Sequence, residues 1–200
     1  MTAAFVFLLL QTQPVILDNP HVRVTRNAAP CASPSAGCGH RVFVALGDLL
    51  LVSFSHSREF EAGTPRNLRR GDVVVYGPRD SYSPPADGQY LEVVIKPKRP
   101  PIMSPPVVIA PDKNSIVHDG EDFFVFEEKL DPGDTRARHS HRERVVIVLN
   151  DTRLQQWPEG APELFRDQIP DDVRFNPPVV HVVKTVGAKP LRNIVIEFKK

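Results

Sequence analysis

The side chains of this chain best suited to chemistry are two histidines two residues apart, a glutamate two residues beyond them and a third histidine far downstream. His139, His141 and Glu143 lie in the stretch that opens at Gly133 and runs into the apolar segment Val145–Leu149. On a strand, residues i, i+2 and i+4 point to one face, so these three side chains project together if the segment is extended. His181 lies in a second β-like run, Phe175–Val183. Imidazoles and a carboxylate form a donor set suited to a divalent transition metal: Mn, Fe, Co, Ni or Zn. Three histidines and one glutamate on strands of one barrel would complete such a site. A plainer account stands beside this one. A single histidine is more often a surface or core side chain than a ligand, and a chain with 7 histidines can produce an HxH pair by chance. The surrounding arginines, Arg136, Arg138, Arg142 and Arg144, are equally open: solvated charges on an outer face or, if some point inward, partners for a carboxylate-bearing ligand.

The elements that must position these residues read as strands. Short Val-, Ile- and Phe-rich runs bounded by Gly, Pro and Asp recur along the chain: Val42–Leu46, Leu49–Phe54, Asp72–Tyr76, Leu91–Ile95, Phe123–Glu127, Val145–Leu149, Val179–Val183 and Ile194–Phe198. That is the pattern of an all-β sandwich or barrel. The 21 prolines agree, because proline is excluded from helix interiors and from central ladders. Only Gly160–Asp167 reads as a short turn of helix.

The residues that could bind metal also carry a resemblance. The chain resembles the cupins, whose first motif is Gly, five residues, HxH, three or four residues, Glu, six residues, Gly. Gly133 precedes His139 by the family interval, and Glu143 precedes Asn150 by the second, with Asn in place of the last Gly. One residue separates His141 from Glu143. The family's second motif, P-x-G-x-x-H, reads here as Asn176-Pro177-Pro178-Val179-Val180-His181. The resemblance implies that His139, His141, Glu143 and His181 are the metal ligands, and that the fold is an antiparallel, jelly-roll-like β-barrel.

An internal repeat doubles that unit. The run Gly39–Asp48 reads against Arg142–Asp151, Arg70–Tyr76 against Pro170–Phe175, and Glu92–Lys96 against Asn193–Glu197. The chain therefore resembles a two-unit protein, a bicupin, of two barrels with six to eight strands each. In this alignment Ala36 falls opposite His139, Cys38 opposite His141, His40 opposite Glu143, and Tyr82 near His181. The first unit is thus degenerate, a structural partner or lid for the second. The expected division is a signal-peptide remnant over 1–13, a degenerate unit over 14–96, a Pro-rich linker over 97–116 and the metal-binding unit over 117–200.

Composition narrows the partners. Net charge is +1 and no basic stripe carries interleaved aromatics, so nucleic acid is not expected. No apolar run is long enough to span a bilayer. A small-molecule ligand and self-association into a homo-oligomer are the partners left open. Ala3–Leu10 resembles the apolar core of a secretory signal, which points to a periplasmic or secreted protein, with a cytoplasmic one as the alternative. In an exported protein Cys31 and Cys38 would pair; in a reducing compartment they would be ordinary thiols. Three functions compete. One is a metal-dependent enzyme, for which the resemblance implies dioxygenase, isomerase, decarboxylase or lyase chemistry. The others are a nonenzymatic small-ligand or metal-binding protein, and a structural module with a relic site.

Overall fold

The computed structural model describes residues 15–29, 39–54, 63–102 and 113–199. The apolar N-terminal segment, Ala36, Cys31 and Cys38 lie outside the described residues, as do residues 103–112 of the Pro-rich stretch.

Among the described residues every regular element is a strand, and every pairing is antiparallel. The first unit contains β1 (Val15–Asp18), β2 (Val22–Arg26), β3 (Arg41–Ala45), β4 (Leu49–Phe54), β5 (Pro65–Leu68), β6 (Val73–Tyr76), β7 (Ser81–Ser83) and β8 (Tyr90–Ile95). The second contains β9 (Asn114–Asp119), β10 (Phe123–Leu130), β11 (Thr135–His141), β12 (Arg144–Val148), β13 (Thr152–Pro158), β14 (Leu164–Gln168), β15 (Val173–Asn176), β16 (Val179–Thr185) and β17 (Leu191–Phe198). Each unit folds as two sheets: β1-β2-β8-β3-β6 over β5-β4-β7, and β15-β12-β17-β10-β9 over β11-β16-β13-β14.

The repeat is structural. β3 pairs with β6 and β8 as β12 pairs with β15 and β17. Within those ladders Arg41 holds the place of Arg144, and His40 that of Glu143: the amide of Ile95 donates to the His40 carbonyl as that of Phe198 donates to Glu143. Val42–Leu46 and Val145–Leu149 therefore occupy equivalent positions. One expectation is corrected. Gly160–Asp167 does not turn as a helix; Leu164–Gln168 forms β14, which zips onto β13 from Gln156↔Leu164 to Thr152↔Gln168. Cross-strand pairing overrode a weak local signal. With β14 the second unit has nine strands, one more than the upper end of the expected range.

The two five-stranded sheets pack face to face. Val42, Val44, Leu91 and Val93 of one unit share a core with Val145, Ile147, Ile194 and Ile196 of the other. β3 and β12 are buried along their whole length because one face of each meets the partner unit and the other its own barrel. Arg70 ties the units together: Nε donates to the Leu149 carbonyl at 2.7 Å, Nη1 to the Leu46 carbonyl at 2.6 Å, and Nη2 pairs with Asp171 at 2.5 Å.

The interior of the first barrel is filled. Phe43 stacks on Tyr90 at 4.6 Å between ring centroids, and Tyr76 on Tyr82 at 5.1 Å. Tyr76 shares a 2.7 Å hydrogen bond with Ser53, and Tyr82 donates to Glu92. β7, which carries Tyr82, pairs with β4 as β16, which carries His181, pairs with β13. Where the second unit places a histidine, the first places an aromatic plug.

Candidate metal centre

β11 is the strand that makes the site, and it is not regular. Arg136 faces Val183 of β16, and His139 faces His181, so three steps along β11 match two along β16. The extra residue is a β-bulge at Ala137–Arg138. The bulge lets both Arg136 and His139 point inward, and normal alternation then sends His141 in as well. Directly opposed residues in an antiparallel pair hold their Cβ atoms about 4.5–5.5 Å apart. The ladder therefore brings His181 onto His139 despite the long sequence separation.

All three imidazoles are buried, and one ligand atom from each lies within 4.8 Å of the others. It is the single such group among the described residues. Ring centroids are 4.5 Å apart for His139–His181, 4.9 Å for His139–His141 and 5.5 Å for His141–His181. The outer nitrogens of the two β11 histidines are spoken for. His139 Nδ1 donates to the Ala137 carbonyl at 2.8 Å, and His141 Nδ1 to Glu197 Oε2 at 2.8 Å. A neutral imidazole that donates through Nδ1 carries its lone pair on Nε2, the form that binds a metal. His139 Nε2 lies 3.1 Å from His181 Nε2, a spacing that suits two nitrogens each about 2.0–2.1 Å from one ion. The donor set thus fits a divalent transition metal.

Glu143 is not in this group. It precedes β12 with the parity of Val145 and Ile147, which pack toward the partner unit, whereas Arg144 and Val146 line the interior of the second barrel. Its charge is felt by His21, which stacks on Phe175 and Phe198 on the inter-unit side. The chain leaves β11 at His141 and enters the opposite sheet at Arg144, so the i, i+2, i+4 rule ends at His141. The resemblance implies Glu143 as a fourth ligand; the ligand atoms that gather here are those of His139, His141 and His181, and the strand that carries the first two ends before Glu143.

Two other carboxylates serve the centre. Glu197 is fully buried; besides His141 it accepts from the Arg142 amide at 2.6 Å. Burial pushes it up to about 7, against the pull of that amide and of the Arg144 charge. Glu128 accepts from Arg136 at 2.7 Å and from Asn193 at 3.2 Å. Burial drives Glu128 upward, but Arg136 and the Asn193 hydrogen bond help to hold it below the ordinary carboxylate value. Of the arginines, Arg136 and Arg144 point inward; Arg138 is exposed and pairs with Glu159, and Arg142 reaches the Lys199 carbonyl. Glu197 left one trace in the sequence, a lone charge inside Ile194–Phe198. Glu128, at the polar end of its run, left none.

Burial holds all three histidines neutral. His139 falls to about 4, helped by the Arg136 charge; His141 falls to about 2, helped by Arg144; His181 falls to about 2, helped by the two other imidazoles. The pH dependence follows. A histidine depressed in the fold contributes stability above its unfolded value of 6.5 and loses it as the pH falls toward the folded value. Glu197 runs the other way: raised from 4.5, its contribution is complete below 4.5 and is lost as the pH rises through about 7. Three groups oppose one, so metal-free protein is expected to unfold at lower urea at pH 4.5 than at pH 6.5. An unchanged or higher midpoint at pH 4.5 would contradict the buried, neutral histidines.

Beyond the histidines lies a cavity inside the second barrel of about 60 Å³, bounded by His141 and His181 among others. About 10–15 Å³ on this scale holds one water, so there is room for a few waters or one small molecule. On the other side His139 and His141 line an open depression with Arg138, Ser140 and Glu159.

No protein-family model matches the chain, and no curated protein matches it. Solved structures do. A cupin 2 conserved barrel domain protein from Leptotrichia buccalis superposes with a TM-score of 0.58 at 12% identity, covering 94% of this chain and 88% of its own. AerE from Microcystis aeruginosa gives 0.56 at 16% identity, covering 94% and 97%. The oxalate decarboxylase of Bacillus subtilis, which has Mn(II) centres, gives 0.52 at 11% identity, covering 88% and 68%. The likeness is one of fold: two tandem cupin units.

Proposed function

We propose that this chain, built on the two-unit cupin fold, is a metalloprotein. Its second barrel holds a divalent transition metal on His139, His141 and His181 and presents it to a small polar molecule. The observation that carries the reading is the gathering of three buried, neutral imidazoles, two of them fixed by Nδ1 hydrogen bonds so that Nε2 faces the common centre. A metal there supplies Lewis acidity or redox chemistry at an oxygen of the bound molecule. The chain's own part is to fix the tautomers through Ala137 and Glu197, to keep bulk water out by burial, and to leave room on the cavity side. Fold alone does not choose among dioxygenase, isomerase and lyase chemistry.

One observation favours a second, nonenzymatic reading as a metal or small-ligand binder. The one carboxylate lining the cavity, Glu128, is engaged by Arg136 and Asn193, so the cavity walls offer no ready general base. The apolar N-terminal segment supports export in either case. The experiment is elemental analysis of untagged protein purified without chelator. About one equivalent of transition metal per chain is expected, and a value near zero after incubation with excess Mn, Fe, Co, Ni or Zn would leave the centre a relic. Turnover of a small oxygenated substrate then separates enzyme from binder.

A further inference from the structure

The cavity behind the histidines is lined by more positive charge than the fold neutralises. Arg144, Arg166 and Arg174 all border it, with Glu128 as the one acidic side chain. Glu128 is already matched by Arg136. Arg174 is matched by Asp172, which its Nε meets at 2.5 Å, and its Nη2 donates to the Asp167 carbonyl. Two guanidinium groups, those of Arg144 and Arg166, have no carboxylate in contact, although Glu197 and Glu128 lie near enough to Arg144 to support its charge.

Arg144 is buried. Its Nη1 donates to the carbonyls of Arg142 at 3.1 Å and Pro177 at 2.9 Å, which hold the head group in place without cancelling its charge. No hydrogen-bond partner for its Nε or Nη2 is found among the described residues. The carboxylate opposite it in the ladder, Glu197, spends its oxygens on His141 and the Arg142 amide. Arg166 stands exposed at the rim on β14; its side chain makes no hydrogen bond or ion pair with a described residue, and the one acidic charge it feels, that of Asp172, is already bound by Arg174. A buried guanidinium is costly unless an anion meets it. Planar N–H forks of this kind match carboxylates. The remaining walls combine the amides of Gln156, Gln168 and Asn176 with apolar side chains such as Leu154 and Val183, which suit a charged head group on a short hydrocarbon body.

We infer that the interior of the second barrel is a carboxylate-binding site, in which Arg144 and Arg166 take one carboxylate of a small organic acid and orient the rest of the molecule toward the three histidines. The inference rests on the metal reading for that second contact and on the arginines alone for the first. The cavity volume limits the ligand to a few heavy atoms beyond the carboxylate, so a short-chain acid fits and a sugar acid does not.

The test is calorimetric titration of the full chain with malonate, and with malonamide as its uncharged counterpart, in the metal-loaded and chelator-treated forms. Malonate is expected to bind saturably and malonamide not to bind. Charge-assisted hydrogen bonds lost from one arginine correspond to about a tenfold to hundredfold weakening. Arg166→Gln, at the rim where folding is not at stake, and Arg144→Met are each expected to show it. Malonate binding that is lost in Arg166→Gln upholds the site even if the protein takes up no metal, so the two readings fail separately. Metal-loaded protein that ignores malonate, or that binds it equally well in wild type and Arg166→Gln, overturns the inference, as does equal binding of malonamide.

Discussion

His181→Ala is expected to empty the metal centre, with affinity falling at least a hundredfold, while Glu143→Ala keeps a full equivalent of metal. His181 is the one ligand contributed by β16; without it both remaining imidazoles come from β11 and approach from one side. A structural zinc site with four ligands contributes about 10–16 kcal/mol, so one ligand accounts for roughly 3 kcal/mol, or about a hundredfold or more in affinity. The substitution trims a side chain that faces the site rather than an apolar core, so the far-UV circular dichroism should not change. Elemental analysis after gel filtration measures both variants. Retention of metal at the wild-type level in His181→Ala would remove the proposed centre, and loss of metal in Glu143→Ala would show that the glutamate reaches it after all.

The contrast between those two residues shows how far sequence carries. An HxH pair on a strand is a local pattern, and a period of two is enough to place both rings on one face. His181 needed more: a ladder register that sets it opposite His139, for which the repeat and the second motif supplied the hint. Glu143 looked like the third member of the same face because the strand was assumed to continue. It ends at His141, the chain crosses to the other sheet, and parity restarts at Arg144. Nothing local announces that crossing, since Arg142 and Glu143 are ordinary strand residues. The bulge at Ala137–Arg138 is likewise invisible in the residue types, yet it alone sets Arg136 inward on the same face as His139. The two-unit architecture was easier to read, because each apolar run recurs in both halves. β14 was hidden, because its sequence, Leu164-Phe165-Arg166-Asp167-Gln168, lacks an apolar run and owes its shape to β13.

Glu128→Ala is expected to destabilise the protein by about 3–5 kcal/mol, because it strands the Arg136 charge inside the second barrel. Arg136 is 4% exposed, and its Nε has no partner. Its charged contact is the 2.7 Å bond to Glu128; the Asn114 side-chain oxygen also accepts from Nη2 at 2.8 Å, but it is neutral and cannot cancel the charge. Glu128 in turn stands on β10, next to β17 in the sheet that faces the partner unit, whereas Arg136 stands on β11 in the opposing sheet. The ion pair thus bridges the two sheets beside the histidines, at the place where the bulge turns Arg136 inward. At about 2–4 °C per kcal/mol for a chain of this size, the melting temperature should drop by roughly 6–20 °C. A buried pair replaced as a pair by apolar residues of similar volume is often neutral or stabilising. Glu128→Leu combined with Arg136→Met is therefore expected to recover most of the loss. Scanning calorimetry of metal-free protein decides it. A double variant as unstable as Glu128→Ala would mean that the pair is needed for the shape of the barrel and not merely for its own neutrality. A Glu128→Ala protein that melts like the wild type would mean that water reaches Arg136, and then the neighbouring histidines are not the dry, neutral ligands that the centre requires.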